Sequence, residues 1–327
     1  MKKFRRIIFF LLSISVSFAI LLSCKEKNDE YPPRTWSDYS YTGSGIAARN
    51  ISTLFYENEH SLWLGAQGSE GLLYFDGYTW NIFDKENTGI EFDSVTSISR
   101  DGNDKIWVGW KSGLATYDGS KWRNINQFSG LRVTSVAVEG IGIIRVGIKG
   151  VSGGLATLRN EEWKFETLTN SDIPSENINS MVSDHGQVLW MASADKGVMR
   201  LKNAEWQNIS DNLPLITQNF GCITKAPDGS IWAGSTASQL IHFHTDTFTI
   251  LNTGTSEPIT SIVTTGDGNV WCSTPGAGLI KFDGINWTSY TIENAALPSD
   301  HILCLSAGSP GYLLFSTEGG KLNLIKQ

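Results

Sequence analysis

Around residue 100 the chain alternates apolar and polar positions in four short runs, "SVTSIS", "KIWVGW", "GLATYD" and "KWRNI". Asp101-Gly102 separates the first pair, a glycine-containing stretch the second and Asp118-Gly119 the third. A period of two residues marks half-buried strands. Asp-Gly supplies the left-handed backbone angles that tight hairpins need. These runs predict one four-stranded antiparallel sheet.

The unit repeats. "IWVG" at Trp107 has relatives in "LWLG" at Trp63, "LWMA" at Trp190, "IWAG" at Trp232 and "VWCS" at Trp271. Arg145 and Leu314 hold the same slot in "IRVG" and "LLFS". Successive spacings are 44, 38, 45, 42, 39 and 43 residues. A second aromatic follows 15 to 18 residues later at Trp80, Trp122, Trp163, Trp206, Phe248 and Trp287. A period of about 40–45 residues is the length of one propeller blade. The pattern predicts an all-β, seven-bladed β-propeller of four-stranded antiparallel blades, with no sustained helical period after residue 30. The seventh unit stops after its third strand, whereas "RTWSDYSYTGSG" puts Trp36 44 residues before Trp80, in register with the second aromatic slot. The N-terminal strand is therefore expected to complete the last blade, because radial sheets need their edges covered. Residues 31–327 form the propeller on this reading.

The segments "LWLGAQGSEGLLYFDG", "IWVGWKSGLATYDG" and "VWCSTPGAGLIKFDG" resemble two-component regulator propeller repeats of Bacteroidetes-type bacteria. The resemblance covers most of residues 31–327. It implies an extracytoplasmic propeller that senses ligands, often carbohydrate. The expectation is a free-standing, lipidated relative with no kinase region after the propeller.

Residues 1–30 follow another logic. Lys2, Lys3, Arg5 and Arg6 precede an apolar run from Ile7 to Leu22, the order of a secretion signal. At 16 residues the run is short of the roughly 20 a spanning helix needs. "LLSC" resembles the bacterial lipoprotein box, so residues 1–23 read as a lipoprotein signal peptide, Cys24 as the lipidation site and 24–30 as a tether. Such a chain is held to a membrane by its N-terminal lipid, in the cell envelope and at the outer membrane. Loss of residues 1–23 moves the net charge from −7 to −11, with 22 basic against 33 acidic residues. That balance argues against nucleic acid and against docking on anionic lipid.

Eleven of the twelve tryptophans fill the two repeated slots and read as packing between blades. Trp110 does not. Its slot holds Ala66, Ile148, Ser193, Ser235, Thr274 and Thr317 elsewhere, so the blade requires no ring there. Loops after the second and fourth strands share one face, which places Trp110 and Lys111 on the loop-rich side as candidates for ligand contact. Packing under a neighbouring long loop is the alternative for Trp110. The residues that start the innermost strands are read as Asn50, Ser94, Arg132, Asn177, Gly221, Pro258 and His301, a polar ring at one mouth of the central channel. Arg49, Arg132 and His301 are preferred for an anionic or hydroxylated ligand.

His242 and His244 point to one face of a strand, in slots that are polar elsewhere, and no partner completes a four-ligand set. No metal is expected. Cys222 is aligned with Ile51 and Val95, Cys272 with Leu64 and Val108, and Cys304 with Ser97, all as small strand residues. No phosphate loop or serine elbow appears, and no cofactor is expected. The leading expectation is a propeller that binds a carbohydrate or peptide ligand, or an envelope protein. The alternatives are a scaffold in an envelope complex, or a lyase or hydrolase at the channel mouth with His301 beside Glu91 or Glu176. A histidine–carboxylate pair at the mouth would favour chemistry, and an open Trp110 would favour capture.

Overall fold

Seven antiparallel sheets follow one another along the chain, each paired strand to strand in sequence order. The structure, a computed structural model, describes residues 50–326 apart from 69–70, 141, 185–187, 212, 245–246 and 309–310. The innermost strands are Ile51–Asn58, Val95–Arg100, Arg132–Glu139, Ile178–Asp184, Phe220–Lys225, Ser261–Thr264 and Ile302–Ala307. Each packs against its successor, and the last returns to the first. This is the seven-bladed propeller that the repeats predict. Six blades show four strands; the seventh shows Ile302–Ala307, Tyr312–Thr317 and Lys321–Lys326. The strand expected around Trp36 lies outside the described residues. Among those residues no helix is long and apolar enough to cross a membrane.

The register confirms the tryptophan slots. Trp63, Trp107, Arg145, Trp190, Trp232, Trp271 and Leu314 all occupy the same place on the second strand. The five tryptophans among them are 1–8% exposed. Each buried ring removes about 150–250 Å² from water, on the order of 4–6 kcal/mol as an upper bound. The second-slot rings stand at the outer edge, half-buried, and Phe248 is 47% exposed.

Neighbouring blades are also joined by side chains near the mouth. In blades 1 to 4 the second residue of the inner run donates to a carbonyl of the next blade. Ser52 Oγ reaches Val95 O at 2.7 Å, Thr96 Oγ1 reaches Val133 O at 2.8 Å, and Thr134 Oγ1 reaches Ile178 O at 2.7 Å. Asn179 Nδ2 continues to Phe220 O at 2.8 Å. In blades 5 and 7 this slot holds Gly221 and Leu303, and the following cysteine takes over. Cys222 Sγ lies 3.8 Å from Ile259 O, and Cys304 Sγ 3.6 Å from Ile51 O. Ser316 Oγ also donates to Ile51 O at 2.8 Å, across the junction of blades 7 and 1. There Ile51, Leu62 and Leu64 share one core with Cys304, Leu314 and Leu322.

Two alignments are thereby settled. Cys272 pairs with Ile262 as Leu64 pairs with Leu54, and Cys304 stands where Ser97 does, both as expected. Cys222 does not replace Ile51 or Val95; Phe220 does, and Cys222 stands with Ser97 and Cys304. Burial pushes the Cys222 and Cys304 thiols up to about 12, so neither supplies a thiolate at neutral pH.

Candidate functional site

A β-bulge or similar irregularity breaks the register at the mouth end of six innermost strands, in every blade but the sixth. A bulge re-aims the side chains beside it, and these residues ring the channel. The residue before each innermost run is Asn50, Ser94, Arg132, Asn177, Asn219, Pro258 or His301. Asn219, not Gly221, is the blade 5 member, because Phe220 aligns with Ile51 and Ile178. The residue at or just past the end of the second strand forms a companion set on the same rim. Lys111 and Lys149 hold it in blades 2 and 3, where Lys149 lies opposite Arg132.

Members of these two sets from blades 1, 2, 3, 5 and 6 enclose a cavity of about 850 Å³ at the channel mouth. Lys111, Arg132 and Lys149 line it on one side, Asn219 and Thr236 on the other, with Gln67 and Ser94 between. Its floor is the blade-joining side chains Ser52, Thr96, Thr134 and Asn179, with Thr260, whose hydroxyl donates within its own blade to Ser273 O at 3.2 Å. A narrower space of about 290 Å³, also walled by hydroxyls, continues into the channel.

Among the described residues all three charged residues of the mouth cavity are cations, in a chain whose net charge is −7. Lys111 and Arg132 are exposed and Lys149 is half-buried. Lys149 Nζ donates to Asn179 Oδ1 at 2.8 Å. Burial, and then the Arg132 charge, pull the Lys149 pKa below its ordinary 10.5, while Asp195 works in the opposite direction. Asp195 does not line the cavity; it accepts from Ser175 Oγ at 2.5 Å and from Asn177 Nδ2 at 3.4 Å. Among the described residues none of the three cations forms an ion pair. Their charge is open to an incoming anion.

The other candidates fall elsewhere. Trp110 is 5% exposed, in the core between blades 1 and 2. Its indole lies over Gly113, where an added Cβ would sit 2.4 Å from Cζ2, and meets Phe92 edge-on at 5.4 Å. Phe92 belongs to the long connection between those blades, so the packing alternative is the one observed, and Trp110 presents no surface for a ligand. Asn177 is bound to Asp195 and lies outside the cavity lining. Arg49 and Cys24 lie outside the described residues.

His301 does find a carboxylate at the rim. Its Nδ1 is 3.0 Å from Glu318 Oε2, and Glu318 N donates to His301 O at 3.1 Å. Glu318 holds the same slot as Lys111 and Lys149. Glu91 instead pairs with Lys85 at 3.0 Å, and Glu176 accepts from Leu168 N at 3.1 Å. The pair therefore forms with a partner that sequence reasoning missed, and neither residue lines the 850 Å³ cavity. His242 is half-buried and stacks on Trp232 at 3.9 Å, and burial lowers its pKa. Among the described residues no group of three or more His, Cys, Asp or Glu is placed to hold a metal ion.

No protein-family model and no curated protein sequence matches the chain. Solved structures do. The extracellular domain of the hybrid two-component system BT4673 from B. thetaiotaomicron superimposes with a TM-score of 0.71 at 18% identity, over 86% of this chain and 38% of that one. The corresponding domain of BT3049 gives 0.70 at 19%, over 87% and 41%. PorZ, a surface component of the type-IX secretion system of Porphyromonas gingivalis, gives 0.65 at 16%, over 85% and 46%. This chain thus spans less than half the length of these relatives. The likeness is one of fold, a propeller like those of extracellular regulator domains.

Proposed function

We propose that the chain is an exported propeller, tethered to the cell envelope through Cys24, that captures an anionic ligand at its channel mouth. One observation carries this reading: among the described residues the 850 Å³ cavity is lined by Lys111, Arg132 and Lys149 and by no carboxylate. Its volume is that of a small-molecule site, and its amide and hydroxyl wall suits a ligand with polar groups beside its charge. An acidic saccharide meets both demands and agrees with the ligand class that the repeat resemblance implies. A peptide carboxylate presented by an envelope protein is the other source of the same charge. The basic residues followed by the apolar run Ile7 to Leu22, and the "LLSC" sequence, support export and lipidation.

Titration of the mature domain with acidic and neutral oligosaccharides and with acidic peptides tests the site. Acidic members should bind and neutral ones should not. Loss of radiolabelled palmitate incorporation in Cys24→Ala tests the tether.

The His301–Glu318 contact favours a second reading, in which bound ligand is cleaved with His301 as general acid or base. Product formed by the wild type and abolished in His301→Ala would establish it. Ligand recovered intact from both proteins would remove it.

A further inference from the structure

Blade 3 lacks a packing that four other blades share. In those blades, 1, 4, 5 and 6, the buried tryptophan of the second strand is covered by a side chain of the third, whereas blade 2 places Thr116 opposite Trp107. Tyr74 stacks on Trp63 at 4.3 Å and His242 on Trp232 at 3.9 Å. Arg200 sits over Trp190 at 5.2 Å and Lys281 over Trp271 at 5.5 Å. In blade 3 the two places hold Arg145 and Thr157. The cleft between blades 3 and 4 measures about 630 Å³, against about 260 Å³ at the corresponding place between blades 4 and 5, where Trp190 and Arg200 are both present.

The chain itself shows what the space is shaped for. In blade 2 the Trp107 indole N–H donates to Asp101 Oδ2 at 2.8 Å. Glu139 stands in the register of Asp101, and Arg145 Nε donates to Glu139 Oε2 at 2.9 Å in place of the indole. Arg145 Nη1 is further fixed by Thr157 Oγ1 at 3.3 Å. Both members of the pair are more than nine-tenths buried, and Glu139 Oε1 has no hydrogen-bond partner among the described residues. A buried carboxylate oxygen without a donor is costly. Trp163 and, from blade 4, Leu201 supply apolar wall. The cleft's acidic residues, Glu139, Glu162 and Glu166, equal its basic ones, Arg145, Arg159 and Lys164, in number, which suits a neutral guest.

We propose that this cleft binds a flat aromatic ring bearing an N–H donor, of the indole class, stacked on the Arg145 guanidinium and hydrogen-bonded to Glu139. Arginine stacks on aromatic faces readily when its plane is fixed, and the guest completes in blade 3 the stacked pair that blades 1, 4, 5 and 6 complete internally. The site is independent of the channel mouth.

Saturation-transfer NMR with N-acetyltryptophanamide, added to the whole chain, tests the proposal. Saturable transfer is expected, weakened about tenfold for the N-methylindole analogue, as loss of one hydrogen bond to a carboxylate requires. Arg145→Trp and Thr157→Tyr, which import the side chains of other blades, should each abolish it while the protein remains folded. A tryptophan-bearing hexapeptide run alongside separates the sources: tighter binding than the amide assigns a protein partner, and equal binding a small molecule. No saturable transfer, equal transfer from the N-methyl analogue, or transfer that persists in a folded variant would overturn the proposal. The N-methyl comparison uses the wild type and decides even if the variants fail to fold.

Discussion

On the turn face, the aspartates of the hairpins are occupied by their own backbones. Asp76 accepts from Tyr78 N and Thr79 N, Asp118 from Ser120 N and Lys121 N, and Asp283 from Ile285 N and Asn286 N. These bonds hold the carboxyls below the usual range, Asp118 at about 2. On the loop face, Lys111, Arg132 and Lys149 line a cavity without any ion pair among the described residues. Acidic side chains serve the fold on one side, while basic ones face an open space on the other. Net charge therefore describes the whole surface poorly: a chain at −7 presents a cationic mouth.

The comparison can be broken at several points. Trp110→Ala should have the largest effect on stability, a loss of about 3–5 kcal/mol from cavity formation under Phe92, read as a lowered unfolding midpoint. A mutant with wild-type stability would return Trp110 to the surface. Arg132→Ala combined with Lys149→Ala should leave unfolding nearly unchanged but weaken an anionic ligand by about 100-fold or more, at about 1.5–3 kcal/mol per charge-assisted bond. Binding should also weaken at alkaline pH. Because the Lys149 pKa lies below 10.5, that weakening should begin earlier than an ordinary lysine would give, and Lys149→Arg should move it upward.

The smallest effect belongs to the turn face. The folded Asp118 pKa lies below its unfolded value near 3.8, so its contribution is fully present above about pH 4 and disappears as pH falls toward 2. Asp118→Asn should flatten stability against pH in that window and leave anion binding untouched.

The fold was legible because tryptophan slots and Asp-Gly turns recur at fixed places, and each slot reappears in the observed register. The mouth was legible only in part. Period-two alternation fails at a bulge, and there the alignment of blade 5 slid, giving Gly221 for Asn219. The pairs Asn50-Ile51, Asn177-Ile178 and Asn219-Phe220 carried the correct register, had Phe220 been accepted in an aliphatic place. Lys149 was missed although "GWK" and "GIK" put Lys111 and Lys149 in one slot. Glu318 shares that slot, but with the opposite charge, so composition alone does not group it with the lysines. Trp110 misled because a ring that breaks the repeat can serve local packing as well as function. Here Gly113 leaves the space, and Phe92 comes from a connection whose path no repeat dictates.

The most direct test is calorimetric titration of the mature domain with two oligosaccharides of equal length, one of uronic acids and one of the matching neutral sugars. The account predicts saturable heat from the acidic chain alone, abolished in the Arg132→Ala, Lys149→Ala double variant. Equal binding of the two sugars, or acidic binding that survives in the double variant, would contradict it.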